Sequence, residues 1–312
     1  MDKYYVESPG QIVNAFESIH LRQLPWVMIV RFNGSKDNDS QIKNVLFFYK
    51  DCELMRLNSS IKFVFSFIEF VLHFTLTLLR FSKGPIYVGS DKSKFISPFH
   101  VFRLPMVLLD DGIATLIYAK GKDKKTKPLS VLDKLLNKHQ KMNIFTSLDL
   151  PKLPPHYKVI NHDYGYLRSI IKGGLVSDDV LFFGAKYIEV GILTSDQYIA
   201  LLRSVMKYFK GRRILYVPHR EENKVRLSNY EELGYSLMNI DLPSELELVS
   251  MVKPPKCVAG FFSAALLTSH QLMPDIEVYT FKIPQINIPQ STRENLEYAY
   301  EYYSSFSRVI VL

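Results

Sequence analysis

The stretch Lys256-Cys257-Val258-Ala259-Gly260-Phe261-Phe262-Ser263-Ala264-Ala265-Leu266 reads as an apolar strand, a tight turn and a helix that starts at Ser263. Strands buried on both faces of a parallel sheet are short and apolar without alternation. A serine just ahead of a helical run supplies an oxygen for the helix's first N–H groups. The same pattern continues outward from this stretch. Strand-like runs occupy residues 180–183, 213–217, 236–240 and 277–281 in the second half, and 26–32, 45–49, 85–88 and 106–109 in the first. Helical patterns lie between them at 10–22, 61–81, 130–141, 195–209, 244–252 and 292–303. Alternating strand and helix patterns predict βαβ units and the α/β class. No internal sequence repeat accompanies the alternation.

A chain of 312 residues is long enough for two domains, each with its own core. The Pro-rich segment PKLPPHY at 151–157 marks the boundary, giving domains at 1–155 and 156–312, with the last helix free to pack back on the first domain. Hydrophobic residues at 47% and charged residues at 22% argue against a disordered chain. The 39 Lys and Arg exceed the 31 Asp and Glu, and the net +8 favours anionic partners such as nucleic acid, anionic lipid, nucleotide sugars or acidic glycans. Zinc-finger spacing and RNA-binding aromatic signatures are lacking, so no nucleic-acid partner is expected. Cys52 and Cys257 show no CxxC spacing, which excludes a disulfide framework and fits a reducing compartment.

The opening residues lack the charged region, apolar core and cleavage site of a secretory signal. Residues 61–81 are apolar and long enough to span a bilayer, yet Glu69 and His73 fall in their middle, and a carboxylate is costly in lipid. The segment is read as a buried domain helix; a membrane-surface helix or a true span fits the same pattern. Lys120, Lys122, Lys124, Lys125 and Lys127 form a basic segment, either a solvated loop or a docking surface for an acidic glycan or lipid head groups. The expected location is cytoplasmic, peripheral on the inner face of a membrane.

Open α/β sheets bind ligands at the carboxyl ends of their strands, so polar residues that end apolar runs are the candidates. The run at 106–109 stops at Asp110-Asp111-Gly112. Adjacent carboxylates in a cleft push one pKa up, which suits a general base, although Asp-Gly is also a common turn pair. The run at 214–217 stops at Pro218-His219-Arg220-Glu221-Glu222. Histidine can donate to a leaving phosphate and arginine offers a fork to phosphate or carboxylate; the alternative is a surface pair between Arg220 and a nearby Glu. Ser263 and Ala264 open a helix whose N–H groups and dipole suit a phosphate, unless Ser263 is only an N-cap. Leu242-Pro243-Ser244-Glu245-Leu246 is a further helix start.

The order of these motifs resembles the bacterial sialyltransferases, whose signatures are Asp/Glu-Asp/Glu-Gly, His-Pro and Ser-Ser/Thr, and among them the polysialyltransferase and lipooligosaccharide sialyltransferase group. Glu7-Ser8-Pro9-Gly10-Gln11 with Asn14, Phe183-Gly184 with Glu189-Val190-Gly191-Ile192, and the stretch carrying Glu245 are similar to segments of that group. The likeness runs as scattered motifs from about Tyr5 to Phe281. Arg220 stands where the family has proline, and Ala264 where a second hydroxyl is usual.

The resemblance implies a GT-B architecture, two Rossmann-like domains facing an inter-domain cleft, with the acceptor side first and the donor side second. It implies inverting, metal-independent transfer of sialic acid from CMP-sialic acid, without a cofactor, to a hydroxyl of an acidic or galactose-containing glycan of a capsule or lipooligosaccharide. Asp110 or Asp111 would take the acceptor's proton, and His219 would stabilise or protonate the departing CMP phosphate. Ser263, Ala264, Glu245 and Gly184 fall on the donor side, and Ser8 and Gln11 on the acceptor side or N-terminal loop. Arg220 is added as a partner for the donor's phosphate or carboxylate. Another activated sugar such as CMP-Kdo suits the same architecture, and a non-catalytic glycan-binding protein is the reading of another class. A homodimer and an anionic membrane surface complete the expected partners.

Overall fold

Two parallel sheets organise the chain. The computed structural model describes residues 1–49, 54–58, 84–91, 93, 96, 99, 104–110, 112–122, 142–150, 158–171, 175–284, 288 and 290–312. The expected helices at 61–81 and 130–141 and the segment 151–157 lie outside these residues. The chain divides into Met1–Tyr166 and Leu167–Leu312.

The first unit holds β1 (Asp2–Val6), α1 (Pro9–Arg22), β2 (Trp26–Phe32), α2 (Lys36–Phe48), β3 (Leu54–Asn58), β4 (Ile86–Val88), β5 (Met106–Leu109), α3 (Ile113–Lys122), β6 (Asn143–Thr146) and β7 (Val159–Asn161). Its strands lie in the order β3-β2-β1-β4-β5-β6-β7, each pair parallel. Ser8 caps α1 by accepting from Gln11 N–H (3.4 Å), and Pro9 suits the first turn because its missing N–H would find no partner there. Residues 45–49, expected as a strand, instead close α2, with Tyr49 as its C-cap. Ile42, Val45 and Leu46 follow the helical spacing of three and four and are buried, while Phe47 is 76% exposed, so helical period overrides the apolar run.

A short helix α4 (Gly165–Ile170) spans the division between the units. The second unit then holds β8 (Ser177–Phe183), α5 (Ser195–Tyr208), β9 (Ile214–Val217), α6 (Leu227–Glu232), β10 (Ser236–Leu237), α7 (Ser244–Ser250), β11 (Pro255–Gly260), α8 (Ala264–Leu272), β12 (Glu277–Lys282), α9 (Gln290–Tyr303) and β13 (Arg308–Val311). The order is β10-β9-β8-β11-β12-β13, again parallel throughout. Helix α5 shows how sequence sets packing. Thr194 and Gln197 form a reciprocal capping box worth about 1 kcal/mol, and Tyr198, Leu201, Leu202 and Val205 line one buried face. They pack on Val180, Phe182, Ile214 and Tyr216 of the sheet. Cys257 lies in this core, its thiol pushed up to about 12 by burial, and is an unreactive filler.

Counted within its own unit, each sheet runs 3-2-1-4-5-6, with β7 added at the end of the first. The strand order therefore reverses between β1 and β4, and again between β8 and β11, and such switch points are where open α/β sheets bind ligands. Two Rossmann-like units are present although the sequence carries no visible repeat. Among the described residues, no helix is long and apolar enough to cross a membrane.

Candidate functional site

In the second unit, neighbouring strands β9, β8 and β11 lead into His219, Gly184 and the turn before Ser263. His219 is part-buried, and its Nδ1 accepts from Glu221 N–H at 3.1 Å. An imidazole that accepts at Nδ1 carries its proton on Nε2. Burial, then the Lys186 ammonium, holds His219 below the usual histidine range. At pH 7 the ring is neutral and offers Nε2–H as a donor.

Glu222 supports this turn from inside. Its carboxylate is 6% exposed and accepts from His219 N–H (2.8 Å), Tyr216 OH (2.6 Å) and Tyr230 OH. Tyr198 OH stands 2.8 Å from Tyr216 OH and accepts from Ala185 N–H at 3.2 Å. Because Tyr216 spends its proton on Glu222, Tyr198 donates to Tyr216. Burial pushes the Glu222 carboxyl up to about 7 in spite of these donors. Gly184 provides the room: a Cβ there would fall 2.6 Å from the carboxylate and collide with the Tyr216 hydroxyl. Glu189 ties the loop further on, accepting from Asn223 N–H (3.0 Å) and pairing with Arg226 (2.6 Å). Lys186 pairs with Glu221 at 2.7 Å, and Arg220 stands 3.8 Å from the same carboxylate, as the surface-pair alternative anticipated.

Ser263 is the N-cap of α8, its hydroxyl accepting from Ala265 N–H at 3.3 Å, and Ala264 is the first helical residue. The first N–H groups of a helix have no acceptor within it, so this end suits an anion. Two tyrosines brace the approach: Tyr303 OH donates to Ser263 O (2.6 Å) and Tyr187 OH to Phe262 O (3.4 Å). Glu245, in the first turn of α7, accepts from Thr268 of α8 at 3.5 Å and so joins the two helices.

In the first unit, Asp110 directly follows β5 and is 2% exposed. Its Oδ1 accepts from Gly112 N–H (2.7 Å), where φ is +61° and glycine is favoured. Its Oδ2 accepts from Thr146 OH (2.7 Å), Ser147 N–H (3.2 Å) and Ser147 OH (3.3 Å). The Asp110 carbonyl accepts from Asn14 of α1 at 3.1 Å. Burial raises the carboxyl from its usual range, the donors opposing. Asp110 thus binds the turn after β5 to the end of β6, while Asp111 lies outside the described residues. Ser8 caps α1, and buried Gln11 accepts from Glu7 N–H at 2.8 Å beside Gly89, where a Cβ would strike the Gln11 side chain. Glu7 itself gathers Tyr5 OH (2.8 Å), Arg31 (3.0 Å) and Ser93 OH (2.7 Å). Lys120 and Lys122 end α3, and the lysines at 124, 125 and 127 lie outside the described residues.

Glu222, Tyr216, Lys186, Thr146 and Ser147 received no role from sequence. Tyr216 carried a usable signal, since a tyrosine inside an apolar strand needs a buried partner for its hydroxyl. Among the described residues, no three His, Cys, Asp or Glu side chains group as metal ligands.

Residues 60–282 match the family model described as Alpha-2,8-polysialyltransferase (POLYST). No curated protein matches the chain. Similar solved structures include the alpha/beta-galactoside alpha-2,3-sialyltransferase of the luminous marine bacterium Photobacterium phosphoreum, at 11% identity over 99% of this chain and 98% of that one (TM-score 0.54). UDP-GlcNAc 2-epimerase of Neisseria meningitidis, bound to UDP-GlcNAc, matches at 12% identity over 99% and 95% (TM-score 0.56). MnaA of S. aureus with UDP matches at 12% over 98% and 91% (TM-score 0.58). At such identities the likeness carries the fold alone, two Rossmann-like units consistent with GT-B.

Proposed function

The chain belongs to the alpha-2,8-polysialyltransferase family of glycosyltransferases, and from that premise we propose that it is an inverting sialyltransferase. Its donor in this reading is CMP-sialic acid, and its acceptor a hydroxyl of an acidic or galactose-containing cell-surface glycan. The observation that carries the reading is the His219 turn. A neutral imidazole with Nδ1 occupied offers Nε2–H at the end of β9, one strand away from β8 and two from β11, whose following helix begins at Ser263.

In this scheme the start of α8 and the Ser263 hydroxyl hold the single phosphate of CMP. The acceptor oxygen attacks the anomeric carbon while the bond from that carbon to the phosphate oxygen breaks, and the electron pair leaves with CMP. Negative charge grows on the phosphate, so donors already aimed at it lower the barrier. His219 Nε2–H is one such donor, and Arg220 is assigned to the donor's phosphate or carboxylate. The acceptor's proton passes to a carboxylate and then to solvent, leaving sialylated glycan and CMP. We assign that step to Asp111, because Asp110 is buried with both oxygens engaged in the turn. Glu245 and Gly184 act on the donor side by setting the α7–α8 pair and the space behind His219.

The test is a donor screen read by mass spectrometry, offering CMP-sialic acid, CMP-Kdo and UDP-sugars with a soluble sialylated or galactosylated acceptor. Sialylated product with release of CMP is expected. Turnover of CMP-Kdo or UDP-sugars alone would overturn the donor, and glycan binding without any turnover would overturn the enzyme. The reading extends to a cytoplasmic protein attached peripherally to an anionic inner membrane face through the basic segment that Lys120 and Lys122 begin. Reversing the charge of Lys122, Lys124 and Lys125 should weaken liposome binding while sparing transfer to a soluble acceptor; unchanged binding would refute the attachment.

A further inference from the structure

We propose that Glu222 is a positioning residue for the leaving-group imidazole, its buried carboxylate fixing the turn that aims His219 Nε2–H. The inference rests on the role assigned above to His219.

Glu222 holds residue 219 by both backbone groups. Its Oε2 accepts from His219 N–H at 2.8 Å, and its own N–H donates to His219 O at 2.8 Å. Glu221, between them, sends its N–H to Nδ1 of the ring. Backbone and ring are therefore set by one four-residue turn. The turn is itself referenced to three elements through the other carboxylate contacts: Tyr216 on β9, Tyr230 on α6 and, through Tyr216, Tyr198 on α5. Glycine at 184 is the clearance this arrangement requires. A solvated glutamate in a Glu-Glu pair would need none of these features. Glu221 is the contrast, half exposed and paired with Lys186 at the surface.

Removing the carboxylate takes the acceptor from His219 N–H and from the proton of the buried Tyr216 hydroxyl, and unpaired donors of this kind are costly. The turn then opens, Glu221 N–H withdraws from Nδ1, and the proton is free to move to that nitrogen. Nε2 would then present a lone pair to an anionic phosphate, which repels instead of donating.

The experiment compares Glu222→Ala, Glu222→Gln and His219→Ala in the full chain, with folding followed by thermal melting. Readouts are kcat, donor KM, CMP affinity by calorimetry and the 15N shifts of the His219 ring. Glu222→Ala should lower kcat about 10- to 100-fold, the scale of a misaimed group. CMP affinity should stay within about 3-fold, because Ser263 is untouched, and the ring should leave its Nε2–H form. Glu222→Gln keeps an oxygen for His219 N–H and should restore most of kcat and the tautomer. If Glu222→Ala does not fold, Tyr216→Phe takes its place and should shift the ring in the same direction with a smaller loss. Wild-type kcat and tautomer in the folded variant, or a kcat loss that Gln does not rescue with the tautomer intact, would overturn the proposal. Full activity of His219→Ala would instead overturn the role given to His219, whatever Glu222 does.

Discussion

A Cβ on Gly184 would stand 2.6 Å from the carboxylate of Glu222, although the two residues follow different strands of the second sheet. The contact couples the end of β8 to the turn after β9 through empty space alone. Gly184→Ala fills that space with a methyl group against a carboxylate and a tyrosine hydroxyl that have nowhere better to go. Overpacking of this kind costs about 1–3 kcal/mol. Calorimetric melting should show the loss, together with a fall in transfer. A variant as stable and as active as the parent would show that the turn yields freely.

Glu222 also makes stability depend on pH in a definite direction. The carboxyl is raised from 4.5 to about 7, chiefly by burial, and it faces Tyr216, Tyr230, Tyr198, Glu189 and His219. Between those values the native state keeps a proton that the unfolded chain has lost. Stability therefore falls as pH rises through the window, by at most about 1.4 kcal/mol per pH unit. His219 acts in the opposite sense, since its pKa is lowered and acid favours its unfolded form. Glu222→Gln isolates the first effect: its melting temperature should gain on the parent from pH 5 to pH 8. A difference that stays constant with pH would place the carboxyl in its ordinary range.

Asp110 and Asp111 should fail in different ways. Asn at 110 sets an amide donor among Ser147 N–H and two hydroxyls, or turns it toward Gly112 N–H, so at least one buried donor loses its acceptor. The expected cost is about 1–3 kcal/mol. Asp111→Asn should lose transfer with the melting temperature unchanged. If Asp110→Asn melts like the parent yet is inactive, and Asp111→Asn is active, the base is Asp110.

Among the described residues of the first unit, His162 is an acid-sensitive group. Its ring stacks on Phe145 at 4.5 Å, Nδ1 accepts from Tyr164 N–H, and Nε2 is sealed from solvent without a hydrogen-bond partner. Burial lowers its pKa to about 3, against 6.5 in the open chain. Across that window the unfolded state binds the proton and the native state does not, so stability is lost as pH falls below 6.5. His162→Phe keeps the stack and removes the titration. Its melting temperature should drop less than the parent's between pH 6.5 and pH 4; an equal drop would assign acid sensitivity to other groups.

Much of the fold was legible because buried parallel strands announce themselves as apolar runs ended by a turn. Met106–Leu109 and Ile214–Val217 are such runs, and both lead into candidate site residues. The segment at 45–49 misled for the same reason, since apolar residues at a helix end also form a run. β1, inside the first sheet between β2 and β4, begins with Asp2 and Lys3, and nothing in those residues announces that both are buried. Ser263 was legible as a helix start because capping is local. Glu222 was not, because its meaning depends on Tyr230, Tyr198 and Gly184, which tertiary structure alone brings to it.

The shared strand order of the two sheets has a consequence for descent. Each unit owns a switch point and, in the same sheet, a braced turn: Asp110 and Thr146 hold the turn after β5, and the tyrosines around Glu222 hold the turn after β9. On the proposed division of labour, a lineage can remodel the turns after β4 and β5, and with them its choice of glycan, without disturbing the tyrosines that aim His219. Acceptor preference then drifts while donor chemistry is inherited intact. Short motifs adrift in otherwise unrelated sequence are the trace that such separate inheritance leaves.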